Sequence, residues 1–220
     1  MASGQLSRAE ALACSGCKHA CHVMLYCDTK SKLFGKFPIK HIILMQMRFD
    51  GLLGFPGGLV NPTKETLEAG LSRELLEEVG MDVPILVEDH VDSCYAPGSS
   101  PSSSSSHLIT HFYVKKIEEE QIKEVERACV CTAVDHGQEV LGMVRVPLYT
   151  MKAGGGLAPF LSHAFIGNAR FQLVNSLLHF NLLAPEELHK ALRQSLKTHT
   201  RNAEDLQEAL ARLEAKRKQF

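Results

Sequence analysis

Strands interspersed with helices predict an α/β or α+β sandwich, and three observations carry that prediction. Apolar runs of strand length, among them His41 to Met47 and Val140 to Val146, punctuate much of the chain. Helical spacing recurs between and after them, from Leu67 up to Gly80, over Glu118 to Arg127 and over Asn168 to Phe180. The 220 residues suit one domain with additions and are enough to bury a substantial core.

Residues Met1 to Cys17 read as a short helix, with Ser7 a fitting N-cap and Glu10 three residues later. Ala20 to Tyr26 reads as a strand, followed by a polar connection through Lys36. His41 to Met47 is apolar almost throughout, the pattern of a strand buried on both faces. Arg48-Phe49-Asp50-Gly51 then supplies a turn through its Asp-Gly pair, and Leu52 to Phe55 leads into Phe55-Pro56-Gly57-Gly58. Beyond the helix that follows, Val83 to Val87 is predicted as a short strand. Ala96 to Ser106, rich in Ser, Pro and Gly, is predicted as a mobile loop and not a site.

His107 to Val114 alternates as a strand does, Glu118 to Arg127 follows as a helix, and Val140 to Val146 is a strand ended by Pro147. Gly154-Gly155-Gly156 lacks the lysine and hydroxyl residue of a phosphate-binding loop and reads as a connection. Asn168 to Phe180 is predicted as a helix capped by Asn168. Pro185 opens a further helical region in which Leu188, Leu192 and Leu196, then Leu206, Leu210 and Leu213, form apolar stripes amid dense charge. The second stripe is short, which favours a docking or partly frayed tail helix over a long coiled coil. Residues 1–183 are therefore expected to form the domain and 184–220 a charged helical extension.

The densest chemistry lies in Gly57 to Met81. Arg73 to Glu78 places three carboxylates and one arginine within six residues. On a helix Glu74, Glu77 and Glu78 share one face while Leu67, Leu71 and Leu75 line another. Like charges at that spacing cost roughly 0.2 to 0.5 kcal/mol per pair, a penalty that a bound divalent cation reverses. Carboxylates with a backbone carbonyl suit a hard ion such as magnesium or manganese, which keeps waters for a phosphate substrate to displace. Arg73 can hold Glu77, four residues on. Gly57 and Gly58 allow a close backbone approach, and Gly80 fits a left-handed C-cap.

Composition bounds the partners. With 24 Lys and Arg against 25 Asp and Glu, no global basic field draws nucleic acid, so any RNA contact must come from a local patch. Lys30, Lys32, Lys36 and Lys40, or Lys115 and Lys116, or the terminal Lys216-Arg217-Lys218, are such patches, each more simply read as a solvated surface. Met1 to Glu10 lacks the apolar core of a signal peptide, and no uninterrupted apolar run is long enough for a bilayer. A soluble, intracellular protein is expected. Seven cysteines, an odd number, argue for reduced thiols in cytosol or nucleus, with no disulfide. Cys14, Cys17, His19, Cys21 and His22 crowd together, but no second pair at finger spacing follows, so small buried side chains beside a strand are the better reading than zinc.

The stretch from Gly57 to Met81 resembles the Nudix box, the signature of hydrolases that cleave nucleoside diphosphates linked to another group. Glu65 lies eight residues before Arg73, as in that family, yet six residues rather than five separate it from Gly58. Outside the box, His19-Ala20-Cys21-His22, Leu44 to Gly51, Leu53 to Gly58, Asp135-His136-Gly137, Glu139 to Gly142, Val144 to Thr150 and Phe165-Ile166-Gly167 closely resemble one Nudix branch. That branch comprises small nucleolar RNA decapping enzymes that are also inosine diphosphate phosphatases. It includes a paralogue, syndesmos, that has lost the acidic box and acts as a binding regulator.

The resemblance covers roughly residues 10 to 183 and implies a mixed β-sheet sandwiched between α-helices. It implies that the Gly57 carbonyl, Glu74 and Glu78 hold Mg2+ or Mn2+, and that Glu77 is a further ligand or activates water. Glu139 becomes an additional ligand or base. His22, Arg48, Phe55 and Gln172 become the purine and phosphate pocket. Read without the family, His22 fits a satisfied strand histidine, Phe55 core, Arg48 a turn cation and Gln172 an exposed helix residue. The resemblance further implies purine nucleoside diphosphates and capped RNA as substrates, a homodimer, and a location in nucleus, nucleolus and cytoplasm. The competing expectation is an RNA-binding or protein-binding scaffold with little turnover, against which the intact Glu74, Glu77 and Glu78 argue.

Overall fold

The computed structural model describes residues 4–96, 107–152 and 154–217. The chain forms two compact units, Met1–Val146 with Ala164–Leu182, and Pro147–His163 with Leu183–Phe220.

In chain order, the first unit begins with β1 (Gln5–Leu6), α1 (Arg8–Ala13), β2 (Lys18–Asp28), β3 (Lys32–Leu33), β4 (Phe37–Pro38), β5 (His41–Arg48) and β6 (Leu53–Gly54). It continues with β7 (Gly57–Val60), α2 (Leu67–Val79), β8 (His90–Tyr95), β9 (Leu108–Lys116), α3 (Glu119–Cys131) and β10 (Val140–Arg145). After α4 (Leu157–Leu161) of the second unit, α5 (Ala169–His179) returns to the first, and α6 (Pro185–Arg217) completes the second.

The large sheet runs β1-β8-β9-β2-β5-β10, with β7 added to β2 and β6 to β5. It is mixed: β2 and β9 are parallel over Lys18 to Tyr26, whereas β2 pairs antiparallel with β7 and with β5. Alternation sorts the side chains. Cys21, Val23, Leu25 and Cys27 of β2, with Ile42 and Leu44 of β5, enter one core with Leu67, Leu71 and Leu75 of α2 and Ile122 and Val125 of α3. Tyr26 on the opposite face lies 6.3 Å from Phe180, which caps α5. Helices thus cover both faces.

Ser7 and Glu10 close a full capping box on α1, but the helix is only six residues long, preceded by a short strand. Thr66 caps α2 through the Ala69 N–H, and Gly80 ends it in the left-handed conformation, φ 70°. Several expectations need correction. Val83 to Val87 is no strand: Val83 and Ile85 bury themselves in the α2 core without a ladder partner, and a single 3-10 turn follows at Val87–Asp89. Asn168 stands at the start of α5, yet its side chain makes no cap; it donates to Cys94 Sγ at 3.1 Å. The disulfide-free reading fails at Cys14 and Cys17, which pair because the tight turn ending α1 holds their Cα atoms 5.9 Å apart. Cys21, Cys27, Cys94, Cys129 and Cys131 are free, all but the last buried.

In the second unit, Leu188, Ala191 and Ser195 are buried while Leu196, Leu206 and Leu210 stay exposed along one uninterrupted helix. Most of the Ser-rich stretch, residues 97–106, lies outside the described residues, as do the side chains of Lys216-Arg217-Lys218. Among the described residues no helix is long and apolar enough to cross a membrane.

Candidate active site

The site forms where β2 changes partner. Along one edge β2 pairs with β7 from His19 to His22, then with β5 from Tyr26 to Asp28, and Val23 N–H bridges the gap by donating to the Pro56 carbonyl. Gly57 at this fork has φ 127°, and a Cβ there would overlap the backbone of Cys21 and His22. A Cβ on Gly58 would run into the Glu74 carboxylate. The double glycine is therefore demanded by the close approach of β7 to β2 and α2.

A cavity of about 770 Å3 opens beside the fork. His22, Arg48, Phe55, Gly57, Glu74, Glu77, Glu78, Glu139 and Gln172 all line it. Residues from β2, β5, the glycine turn, α2, the approach to β10 and α5 are thus brought together, across 150 positions of sequence from His22 to Gln172.

The acidic side is built on α2. Glu78 is 4% exposed, and both its oxygens are held: Gly57 N–H donates to Oε2 at 2.6 Å and Gln46 Nε2 to Oε1 at 3.0 Å. Burial pushes its carboxyl up to about 7, against those two hydrogen bonds, and the Glu74 and Asp135 charges push the same way. Glu74 is also raised, first by burial, with Glu77 and Glu139 adding to it and Arg73 opposing. Arg73 is the clamp of this face. It reaches Glu74 at 2.7 Å, Glu65 at 3.2 Å, the Leu59 carbonyl at 3.2 Å and Glu77 at 3.5 Å. Its hold on Glu77, anticipated from spacing, is the loosest of the four.

The lengthened loop before α2 is closed by Asn61, whose Oδ1 accepts from the Thr63 N–H and hydroxyl and whose carbonyl accepts from the Lys64 and Glu65 N–H groups.

His22 presents part of its ring to the cavity; burial, then the nearby Arg48 charge, push its imidazole down to about 4, so it is neutral at pH 7. Arg48 forks onto Asp50, 3.1 Å away, and lies over the Phe49 ring at 5.3 Å. Phe55 is only 2% exposed, its ring 5.1 Å from Phe112, so it is as much core as cavity wall. Gln172, expected from helical position alone to be exposed, is buried on the inner face of α5.

Five carboxylates, Glu74, Glu77, Glu78, Asp135 and Glu139, face the cavity against the guanidinium of Arg48. Hard oxygen donors in that number, with Glu74 and Glu78 both raised by burial first and by neighbouring carboxylates next, fit a divalent cation and the anion it would carry. No group of three or more His, Cys, Asp or Glu side chains stands at ligating spacing among the described residues; Glu74 leans instead toward Arg73.

Four contributors escape a reading of the sequence. Gln46, wholly buried behind Glu78, leaves its Oε1 without a partner among the described residues. Asp135 stands out in the sequence only as part of a matching segment. Asn168 lines the cavity where a helix cap was expected, and Ala96 lines it from the edge of the Ser-rich stretch. No periodicity signals any of them.

The geometry can be set against known proteins. The family model described as Nudt16-like, U8 snoRNA-decapping enzyme-like, matches residues 19–183. The chain belongs to the Nudt16-like family. It is a Nudix hydrolase, and its mixed sheet between helices is the Nudix sandwich. A U8 snoRNA-decapping enzyme of Xenopus laevis is 43% identical over 191 residues, 86% of this chain and 88% of the relative. The enzyme of the same name from Mus musculus is 47% identical over 169 residues, 76% of this chain and 84% of the relative. A Tudor-interacting repair regulator protein of Homo sapiens is 41% identical over 205 residues, 92% and 93% of the two chains. A MutT/nudix family protein of Listeria innocua shares the fold, with TM-score 0.50 and 18% identity over 74% of this chain and 94% of the other.

Proposed function

We propose that this Nudt16-like protein is a metal-dependent hydrolase of the diphosphate in purine nucleotides and in 7-methylguanosine-capped RNA, small nucleolar RNA above all. Inosine and deoxyinosine diphosphate would give the monophosphate and phosphate. Capped RNA would give a methylated guanosine nucleotide and 5′-phosphorylated RNA. The observation that carries this reading is the single cavity in which a five-carboxylate cluster meets His22, Arg48, Phe55 and Gln172. Relatives named as decapping enzymes at 43% and 47% identity support it.

Glu74, Glu77, Glu78 and Glu139, with the Gly57 carbonyl, would hold Mg2+ or Mn2+. A bound cation supplies charge neutralisation on the diphosphate and a more acidic water. Glu78, with both oxygens fixed by Gly57 and Gln46, suits a ligand that must stay in place. Glu77 and Glu139, the more open acids, are the candidates to take the water's proton. Arg48 would bind phosphate through Nη1, which none of its bonds to Asp50 engages, Gln172 reads a base edge, and Phe55 and neutral His22 pack against the purine. Two further expectations belong to the same reading, a homodimer and a nuclear, partly nucleolar, and cytoplasmic location.

A second reading, a weakly catalytic binding scaffold, is favoured by the equally full-length relatives named as repair regulators. One experiment separates the two: hydrolysis of inosine diphosphate, guanosine diphosphate and a short capped RNA with manganese or magnesium, native against Glu78→Gln. Metal-dependent cleavage lost in the variant supports the hydrolase, and the substrate ranking tells nucleotide clearance from decapping. A folded native protein that cleaves none of the three is a scaffold.

A further inference from the structure

We propose that the RNA body of a capped substrate leaves the cavity through an adjoining groove at the start of β2, where Lys18 contacts its backbone phosphate. The inference rests on the capped-RNA part of the proposed function. A second cavity of about 380 Å3 adjoins the first, and Leu59 lines both. The β2–β7 ribbon connects them: His22 pairs with Gly57 at the acidic cluster, Ala20 with Leu59 at the junction, and His19 with Val60 in the groove. Lys18 lies one residue further, so at roughly 3.3 Å per residue it stands about 13 Å along β2 from His22.

Charge reverses along this path. The first cavity sets five carboxylates against one guanidinium, a field that rejects a bare phosphate until a cation is bound. The groove sets Lys18 and Arg73 against Glu65 alone. Arg73 is already taken by three carboxylates and the Leu59 carbonyl, which leaves Lys18 as the available cation. Lys18 is exposed and makes no ion pair among the described residues. Lys64, also exposed, sits on the turn whose Asn61, Pro62 and Glu65 line the groove.

A nucleotide chain carries one phosphate per residue, and beyond the metal site those phosphates need protein cations. Leu59, 59% exposed at the junction, offers apolar surface to the first nucleoside. Inosine diphosphate ends at its phosphates and has nothing to place in the groove. The groove therefore distinguishes the two substrate classes within one active site.

The test is steady-state hydrolysis by the full chain of a short capped RNA and of inosine diphosphate, comparing native protein with Lys18→Glu and Lys18→Glu/Lys64→Glu. The expected result is a KM for capped RNA raised about 3- to 10-fold, with a salt dependence shallower by about 0.7 for each phosphate no longer neutralised. The kcat and KM for inosine diphosphate should stay unchanged, which also certifies the fold of the variants. Native protein that cleaves both substrates, with variants that cleave capped RNA at the native KM, overturns the groove and leaves the hydrolase standing. Equal loss on both substrates also overturns it, because the lysines would then act on the site at large. Native protein active on inosine diphosphate but not on capped RNA overturns it together with the decapping reading.

Discussion

Gln46→Leu should separate function from stability. Gln46 is 0% exposed and donates to Glu78 at 3.0 Å, while its own Oε1 has no partner among the described residues. Losing a hydrogen bond to a charged group costs about 1.5–3 kcal/mol, and removing a buried unpaired carbonyl returns about 1–3 kcal/mol. The two offset, so net stability should move by no more than about 1 kcal/mol, or roughly 2–4 °C in Tm for a chain of this size. Catalysis has no such compensation. Glu78, a metal ligand in the function proposed above, loses one of its two fixed donors, and removal of a partner that orients such a ligand typically costs about 10- to 100-fold in metal affinity or activity. The assay is inosine diphosphate hydrolysis across a manganese titration, alongside thermal and urea unfolding. The half-activating manganese concentration should rise, or kcat fall, by that factor in a protein of native stability. A titration curve and kcat that superimpose on the native ones would refute the positioning role, and a loss above about 3 kcal/mol would refute the offset.

Gly58→Ala places a methyl group 2.8 Å from Glu74 Cδ without a positive φ to strain; if Glu74 holds metal as proposed, kcat should fall at least about 10-fold, with the urea midpoint little changed. Arg8→Met leaves Glu68, whose side chain is 10% exposed, without its cation and with the neutral Tyr113 hydroxyl at 2.8 Å as its side-chain partner among the described residues. The cost read by urea unfolding should be about 2–3 kcal/mol, below the usual 3–5 for a buried pair because the Arg8 side chain is 26% exposed; Arg8→Met/Glu68→Leu should recover most of it. Burial first, then the His19 and His90 charges, push His111 down to about 3 from 6.5. The unfolded chain therefore takes up the proton first, so stability contributed by neutral His111 is intact above pH 6.5 and is lost at about 1.4 kcal/mol per pH unit as pH falls toward 3. Unfolding free energies of native protein and His111→Asn between pH 7.5 and 5 should show the shallower slope in the variant.

The parts of the fold that could be read from the chain are those where one physical signal dominates. Leu67, Leu71 and Leu75 recur at helical spacing and are all fully buried, and the strand over His41–Arg48 is buried at every position from Ile42 to Gln46. β8, by contrast, reads His-Val-Asp-Ser-Cys-Tyr, with no apolar alternation. Ser93 at its centre is wholly buried because its hydroxyl is received by neighbours: it bonds His111 at 2.8 Å and His90 of the same strand at 2.9 Å, and His111 in turn bonds His19 at 2.9 Å. A chain of paired polar groups can replace apolar burial, but the pairing spans 92 residues from His19 to His111 and leaves no periodic trace. Val83 to Val87 fails in the opposite sense, because Val83 and Ile85 satisfy their hydrophobicity beneath α2 without a sheet.

The same division runs through the candidate active site. Glu74, Glu77 and Glu78 announce themselves by crowding, since like charges on one helix face oppose folding unless something else compensates. Glu68, near the start of the same helix, carries the same charge and does different work: Arg8 and the Tyr113 hydroxyl bind it on the sheet side. Composition alone cannot tell these acids apart. What separates them is the cation each has at hand. Glu68 has Arg8 in a bidentate pair, so burial's upward push on its carboxyl is outweighed and its pKa is lowered. Glu78 has only neutral donors, so burial prevails and its pKa is raised. Two buried carboxylates of one helix thus diverge because one is already paired and the other is not. The unpaired one faces the cavity, where a cation arriving with the substrate or bound before it would bring the missing charge.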